Sequence, residues 1–156
     1  MSRASMVRCV AMLLAVVGVV GCGGSDDRTA LLREMAAQHQ VWRQSTPARY
    51  VLAINFDCFC SPSGARSVVD SGRVIESAPP GWDPVTVDWL FAQVQSMLAR
   101  GFASASVEYD PVLGYPTSFQ IDPDRNSIDE EFGFHVTCFA SGDAPCPSET
   151  SDAGPP

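Results

Sequence analysis

Arg49-Tyr-Val-Leu-Ala-Ile-Asn-Phe-Asp-Cys-Phe-Cys60 alternates without a break. Tyr50, Leu52, Ile54, Phe56, Cys58 and Cys60 fall on one face, and Val51, Ala53, Asn55 and Asp57 on the other. Successive side chains of a strand point to opposite faces, so a period of two marks a strand with one side on a core. A sheet with one buried face must be covered by another apolar element. Two helices are available for that. Upstream, Leu32, Met35, Ala36, His39 and Trp42 recur at helical spacing over residues 29–43, with Thr29 as cap and Pro47 blocking any continuation. Downstream, Val87, Leu90, Phe91, Val94, Met97 and Leu98 make one apolar stripe between the cap Thr86 and the Arg100-Gly101 stop.

The other strands are shorter. Segments near 65–70 and 73–77 meet at Asp70-Ser71-Gly72, a hairpin turn, and residues 78–84 form a loop. Segments 104–110 and 117–122 flank a loop running from Asp110 to Pro116. A last strand near 131–139 places Phe132, Phe134, Val136 and Cys138 on one side. The element order is α-βββ-α-βββ, and its short connections favour antiparallel pairing. The expected fold is α+β: one antiparallel sheet of about five to six strands with two helices packed on it. The order hints at a duplicated unit, but internal identity is too low to establish a repeat.

The chain before this domain has a different character. Arg3 and Arg8 precede an apolar run from Cys9 to Val20 that is shorter than the ~20 residues a membrane-spanning helix needs. A basic start, a short apolar stretch and a small-residue cleavage site compose an export signal. Its end, Val19-Val20-Gly21-Cys22, is similar to a bacterial lipobox. That reading makes residues 1–21 a signal peptide and Cys22 the lipidated N-terminus of an extracytoplasmic protein held by acyl chains, in either membrane. Residues 22–28 are expected to be a flexible tether reaching roughly 12 Å. About 115 residues then form one domain, at 29–140, with a modest core, and residues 141–156 are expected to be a disordered acidic tail.

Cleavage removes Arg3 and Arg8 and no acid, taking the formal net charge from −8 to −10. The chain has no lysine. Nucleic acid requires clustered basic residues, and anionic headgroups would repel this surface, so the expected membrane attachment is through lipid alone. No cofactor is expected.

Four cysteines follow the anchor: Cys58, Cys60, Cys138 and Cys146. An oxidising compartment permits disulfides, and four cysteines allow three connectivities. A zinc site competes, but C-x-C is tighter than the usual zinc knuckle, and a C-x-C redox or copper site is the remaining alternative. Two structural disulfides are expected.

Several pieces together resemble a family of bacterial secreted or lipid-anchored proteins catalogued as a domain of unknown function. They are Trp42, Tyr50, Cys58-Phe59-Cys60, Gly72-Arg73-Val74, Leu90-Phe91, Tyr109-Asp110-Pro111, Gly114-Tyr115-Pro116-Thr117, Asp122 and Asp129-Glu130-Glu131, and the resemblance covers roughly residues 36–139. Y-D-P-x-x-G-Y-P-T is the specific element, and C-x-C alone is not. The resemblance implies no catalytic residues. It also implies that C-x-C closes on itself and that Cys138 and Cys146 form a separate, added pair. Residues i and i+2 of a strand lie near the ~7 Å limit for bridging, so a link from Cys58 or Cys60 to Cys138 stays open.

Candidate sites are few. Trp82, Tyr109, Asp110 and Tyr115 make a candidate partner surface, although Pro111, Gly114 and Pro116 would equally serve to fix a tight connection. His39 is expected to pack and His135 to face outward, and neither has a recognisable nucleophile beside it. Asp122, Asp124 and Asn126 open like a calcium loop. Ser127 then replaces the turn glycine and Gly133 the bidentate acid, so no tight calcium site is expected. Three functional readings follow: a binding or interaction module at the cell envelope, for an envelope protein or a small ligand; a structural or accessory envelope protein; and a small extracytoplasmic hydrolase. The first leads, and no enzymatic activity is expected.

Overall fold

The computed structural model describes residues 21–22, 25–58, 63–124, 126, 131–142, 144 and 146. Residues 1–20 of the expected signal peptide 1–21 lie outside them, as do Cys60 and residues 147–156. Chain order runs β1 (Gly21–Cys22), α1 (Ser25–Ser45), β2 (Arg49–Asp57), β3 (Gly64–Asp70), β4 (Arg73–Ala78), α2 (Val87–Arg100), β5 (Ser104–Tyr109), β6 (Pro116–Asp122) and β7 (Phe132–Ser141). The strands form one antiparallel sheet in the order β1-β5-β6-β7-β2-β3-β4. Apart from the two-residue β1, this is the expected α-βββ-α-βββ architecture.

The ends of the elements follow local chemistry. Thr86 caps α2, its Oγ accepting from Trp89 N–H at 3.1 Å. Gly101 ends α2 at φ 93°, its N–H donating to Leu98 O. The β3–β4 turn puts both Ser71 (φ 50°) and Gly72 (φ 75°) at positive φ, as a two-residue hairpin loop matched to strand twist requires. Helix α1 starts at Ser25, four residues before the expected Thr29, so residues 25–28 of the expected tether are helical. Asp26 and Asp27 lie in its first turn, where carboxylates oppose the positive end of the helix dipole. At the other end Thr46 Oγ donates to Trp42 O at 2.6 Å, one residue before Pro47.

Both helices cover the same face of the sheet. Trp42, 1% exposed, lies edge-on to Tyr50 at 5.5 Å, Phe139 at 6.0 Å and Tyr115 at 6.2 Å, and Tyr115 stacks on Phe139 at 4.4 Å. Leu52, Ile54, Leu90, Val94, Leu98, Phe119 and Phe134 fill the rest of the core.

Strand β7 departs from simple alternation. Ala53 pairs with Cys138, but Ile54 pairs with Val136, which leaves Thr137 as an extra residue. Such a bulge reverses which side faces the core. Phe132, Phe134 and Val136 pack on the helix side, and beyond the bulge Phe139 does. Cys138 therefore lies with Ala53 on the opposite face, away from the side expected for it.

The hint of duplication is not carried by the topology. Shifting β2-β3-β4 three places along the sheet onto β5-β6-β7 reverses every strand. The rotation that corrects the direction would move the helix to the other face, yet both helices lie on one.

Candidate functional site

The face of the sheet away from the helices is where chemistry remains available. Directly paired residues share a face, so the register defines its rows. Ser106 pairs with Gln120, Gln120 with Gly133, and Gly133 with Asp57. One step toward the strand ends, Ser104 pairs with Asp122. Where the row crosses Gly133 there is no side chain, and none would fit. A Cβ there would lie 2.7 Å from Phe119 O, 3.2 Å from Gln120 Cγ and 3.3 Å from Asp57 Cβ. The resulting dip is a cleft of about 380 Å³, lined by Asp57, Ser104, Ser106, Gln120, Asp122, Glu131 and Gly133 with Ala105, Ile121 and Phe132. Three carboxylates, an amide and two hydroxyls make it acidic and rich in hydrogen-bonding groups.

His135 borders the cleft. It is exposed, as expected, and its Nδ1 lies 3.2 Å from Asp57 Oδ2. Ser118 is its direct partner on β6. Farther along the same face the Cys138–Cys146 disulfide, with Cα atoms 5.8 Å apart, returns the chain after β7, and Val51 and Val68 are buried in that half.

The expected partner surface divides. Trp82 is 53% exposed, in the loop between β4 and α2. Tyr109 and Tyr115 are not on a surface: they are 9% and 7% exposed and belong to the core. Asp110 holds the intervening loop, its Oδ1 accepting from Val112 N–H at 2.9 Å and Leu113 N–H at 2.7 Å. Its backbone N–H donates to Tyr115 O, and its carbonyl accepts from Gly114 N–H. The reason is geometric: the β5–β6 connection closes over α1, so both tyrosines turn inward onto Trp42 and Phe91. Burial pushes the Tyr115 phenol up to about 12, with Asp110 adding to the effect. Burial also raises Tyr109 well above the usual phenol range, with Glu34 contributing, and burial raises the Glu34 carboxyl.

The remaining candidates are placed as follows. His39 stacks on Phe91 at 4.3 Å and meets Asp88 at 3.3 Å, so it packs. Asp122 ends β6. Asp124 Oδ1 accepts from the backbone and side-chain nitrogens of Asn126 at 3.0 and 3.1 Å, which closes a local turn. Ser127 to Glu130 lie outside the described residues. Among the described residues no group of three or more His, Cys, Asp or Glu is arranged to hold a metal ion. Cys58 is disulfide-bonded, and because Cys138 and Cys146 bond each other, the open link from Cys58 or Cys60 to Cys138 is excluded.

Reading the sequence missed the cleft. Alternation put Asp57 and His135 on outward faces, but nothing local shows that β7 lies beside β2.

The chain belongs to a family of unknown function (DUF6174), which matches over residues 34–141. The match runs from within α1 to the last residue of β7, and so contains both the aromatic cluster and the cleft. No curated protein and no solved structure matches the chain.

Proposed function

We propose that this chain is a lipid-anchored cell-envelope protein whose folded part is a binding module, with the cleft over Gly133 as its binding surface. The observation that carries the binding role is the asymmetry of the sheet. One face is sealed by two helices. The other holds a depression lined by Asp57, Gln120, Asp122 and Glu131, groups that folding does not require to converge there. Small-ligand sites are concave and present a few convergent polar groups, and carboxylates select cationic or hydrogen-donating partners. The anchor rests on Val19-Val20-Gly21-Cys22. No described helix is long and apolar enough to cross a membrane.

Two experiments test the two halves. Palmitate labelling followed by membrane fractionation tests the anchor: Cys22→Ala should lose both label and retention, and an unchanged variant overturns it. A photo-crosslinking side chain at position 106 in intact cells tests the cleft. It should give an adduct of defined mass that disappears with Asp57→Asn/Glu131→Gln, whereas the same probe at position 112 should not. Equal products from both positions would refute the assignment.

A second reading has one specific observation behind it. Ser118, His135 and Asp57 follow one another across three adjacent strands, in the order of a hydrolytic nucleophile, base and orienting acid. A screen of ester and amide substrates, with His135→Ala as control, decides it: hydrolysis that the variant lacks supports this reading, and hydrolysis that it retains does not.

A further inference from the structure

We propose that the anchored domain stands on the bilayer on one defined end of its sheet, the end that carries the cleft. This rests on the lipid-anchor reading of Cys22 and deepens it.

The backbone supplies the argument. Cys22 pairs with Ser104 at the start of β5, and this is the position that cleavage before Cys22 leaves in place. Helix α1 begins at Ser25, so only residues 23 and 24 separate the expected acylation point from the folded domain. A seven-residue coil would let the domain wander, whereas a two-residue link keeps the acylated cysteine close to the start of α1 and of β5. Antiparallel pairing then places other segments at the same end: the end of β2 at Asp57, the start of β3, the end of β6 at Asp122 and the start of β7 at Phe132. Neighbouring strands lie ~4.8 Å apart, so the Asp122 backbone is roughly 10 Å from that of Cys22. The cleft lining begins at Ser104 itself. The opposite end, with Val112 75% exposed, lies about 20 Å higher, at ~3.3 Å per residue along β5.

The end of the sheet so presented is acidic, with Asp122 and Asp124 two strands from the anchor and Glu131 and Asp57 farther along the same end. It complements the ammonium of a zwitterionic phospholipid and would be repelled by anionic heads. The partner is therefore the zwitterionic bilayer surface, and a ligand entering the cleft would meet it at headgroup level.

The test uses the full lipidated chain in phosphatidylcholine vesicles that carry a headgroup-linked nitroxide quencher. A fluorescent non-natural side chain is placed at position 124 or 112. Position 124 is 102 residues from Cys22 in sequence, so its proximity to lipid reports orientation and not tether length. Expected is strong quenching at 124 and none at 112, with the difference abolished when ten Gly/Ser residues are inserted between Gly23 and Gly24. Equal quenching at both positions in a palmitate-labelled chain overturns the orientation while leaving the anchor standing, as does an insertion without effect. Failure of the native chain to take palmitate overturns the anchor and the orientation with it.

Discussion

Gly114 is the residue at which the β5–β6 loop meets α1, and replacing it gives a quantitative test. It sits at φ 76°, and a Cβ there would lie 2.7 Å from Gln38 O and 2.9 Å from Val41 Cβ. Two costs follow for Gly114→Ala. A left-handed conformation costs a non-glycine residue about 1–2 kcal/mol. The clash with α1 adds the cost of overpacking, about 1–3 kcal/mol, because a helix carbonyl cannot move aside as a side-chain tip can. The sum is about 3 kcal/mol, or roughly 12–15 °C in Tm for a domain of about this size. Gly72 provides the control, having φ 75° with nothing within 4 Å of its would-be Cβ. Gly72→Ala should therefore cost only the conformational part, about 1 kcal/mol. Thermal and urea unfolding followed by circular dichroism measures both. If Gly114→Ala is no more destabilising than Gly72→Ala, the loop does not dock on α1, and the structural account of the loop fails.

Other perturbations probe separate parts of the fold. Thr86→Ala should cost about 1 kcal/mol through loss of the bond to Trp89 N–H, with Thr86→Ser retaining most of it; urea midpoints at constant slope decide. Tyr109 and Tyr115 are both raised by burial, and a phenol with a raised folded pKa contributes stability that is complete below its unfolded value and lost above it. Stability should fall from pH 10 through about 12, where Tyr115 ionises, and Tyr115→Phe should flatten that slope in pH-dependent melts. Cys138→Ser/Cys146→Ser opens a loop of separation 8, worth about 2.5 kcal/mol in the chain-entropy treatment. Thermal melts of the double variant beside the parent under non-reducing conditions decide, and a variant that melts unchanged would refute a stabilising role.

What could be read in the sequence was whatever depends on near neighbours. The alternation of Tyr50, Leu52, Ile54 and Phe56 and the stripe of α2 both report a buried side directly. Thr86, Gly101 and Gly72 mark ends because single residues satisfy or permit particular backbone geometries. The errors arose where distant contacts decide. Tyr109 and Tyr115 read as surface because Pro and Gly surround them, yet their loop folds over α1. Counting by twos puts Cys138 on the core side, and the bulge opposite Ala53 and Ile54 changes the count. Thr29 read as a cap because it is the residue type that caps, whereas Asp26 and Asp27 let the helix begin a turn earlier. The cleft needs β5, β6, β7 and β2 side by side, and that order follows from the closure of the whole sheet.

The edges of the sheet sharpen the case for its open face. Strand addition needs a regular, accessible edge. At β4 the register shifts between Val68 and Val69, leaving Ile75 unpaired and 57% exposed, and Pro79-Pro80 follows at once. A bulged edge ending in prolines discourages a further strand. At β5 the Ser104 position is already taken by Cys22. The cleft is then the better candidate for recognition, and its residues separate binding from stability. Gly133 is required by the close approach of Phe119 O whether or not anything binds, so its replacement would be ambiguous. Gln120 and Glu131 are exposed, and Asp57 meets His135 in a pair whose side chains are 40% and 47% exposed, an arrangement worth at most about 1 kcal/mol. Neutralising Asp57 and Glu131 should therefore leave the melting curve within about 0.5–1 kcal/mol of the parent. Loss of the position-106 adduct in that background would report lost recognition and not lost folding.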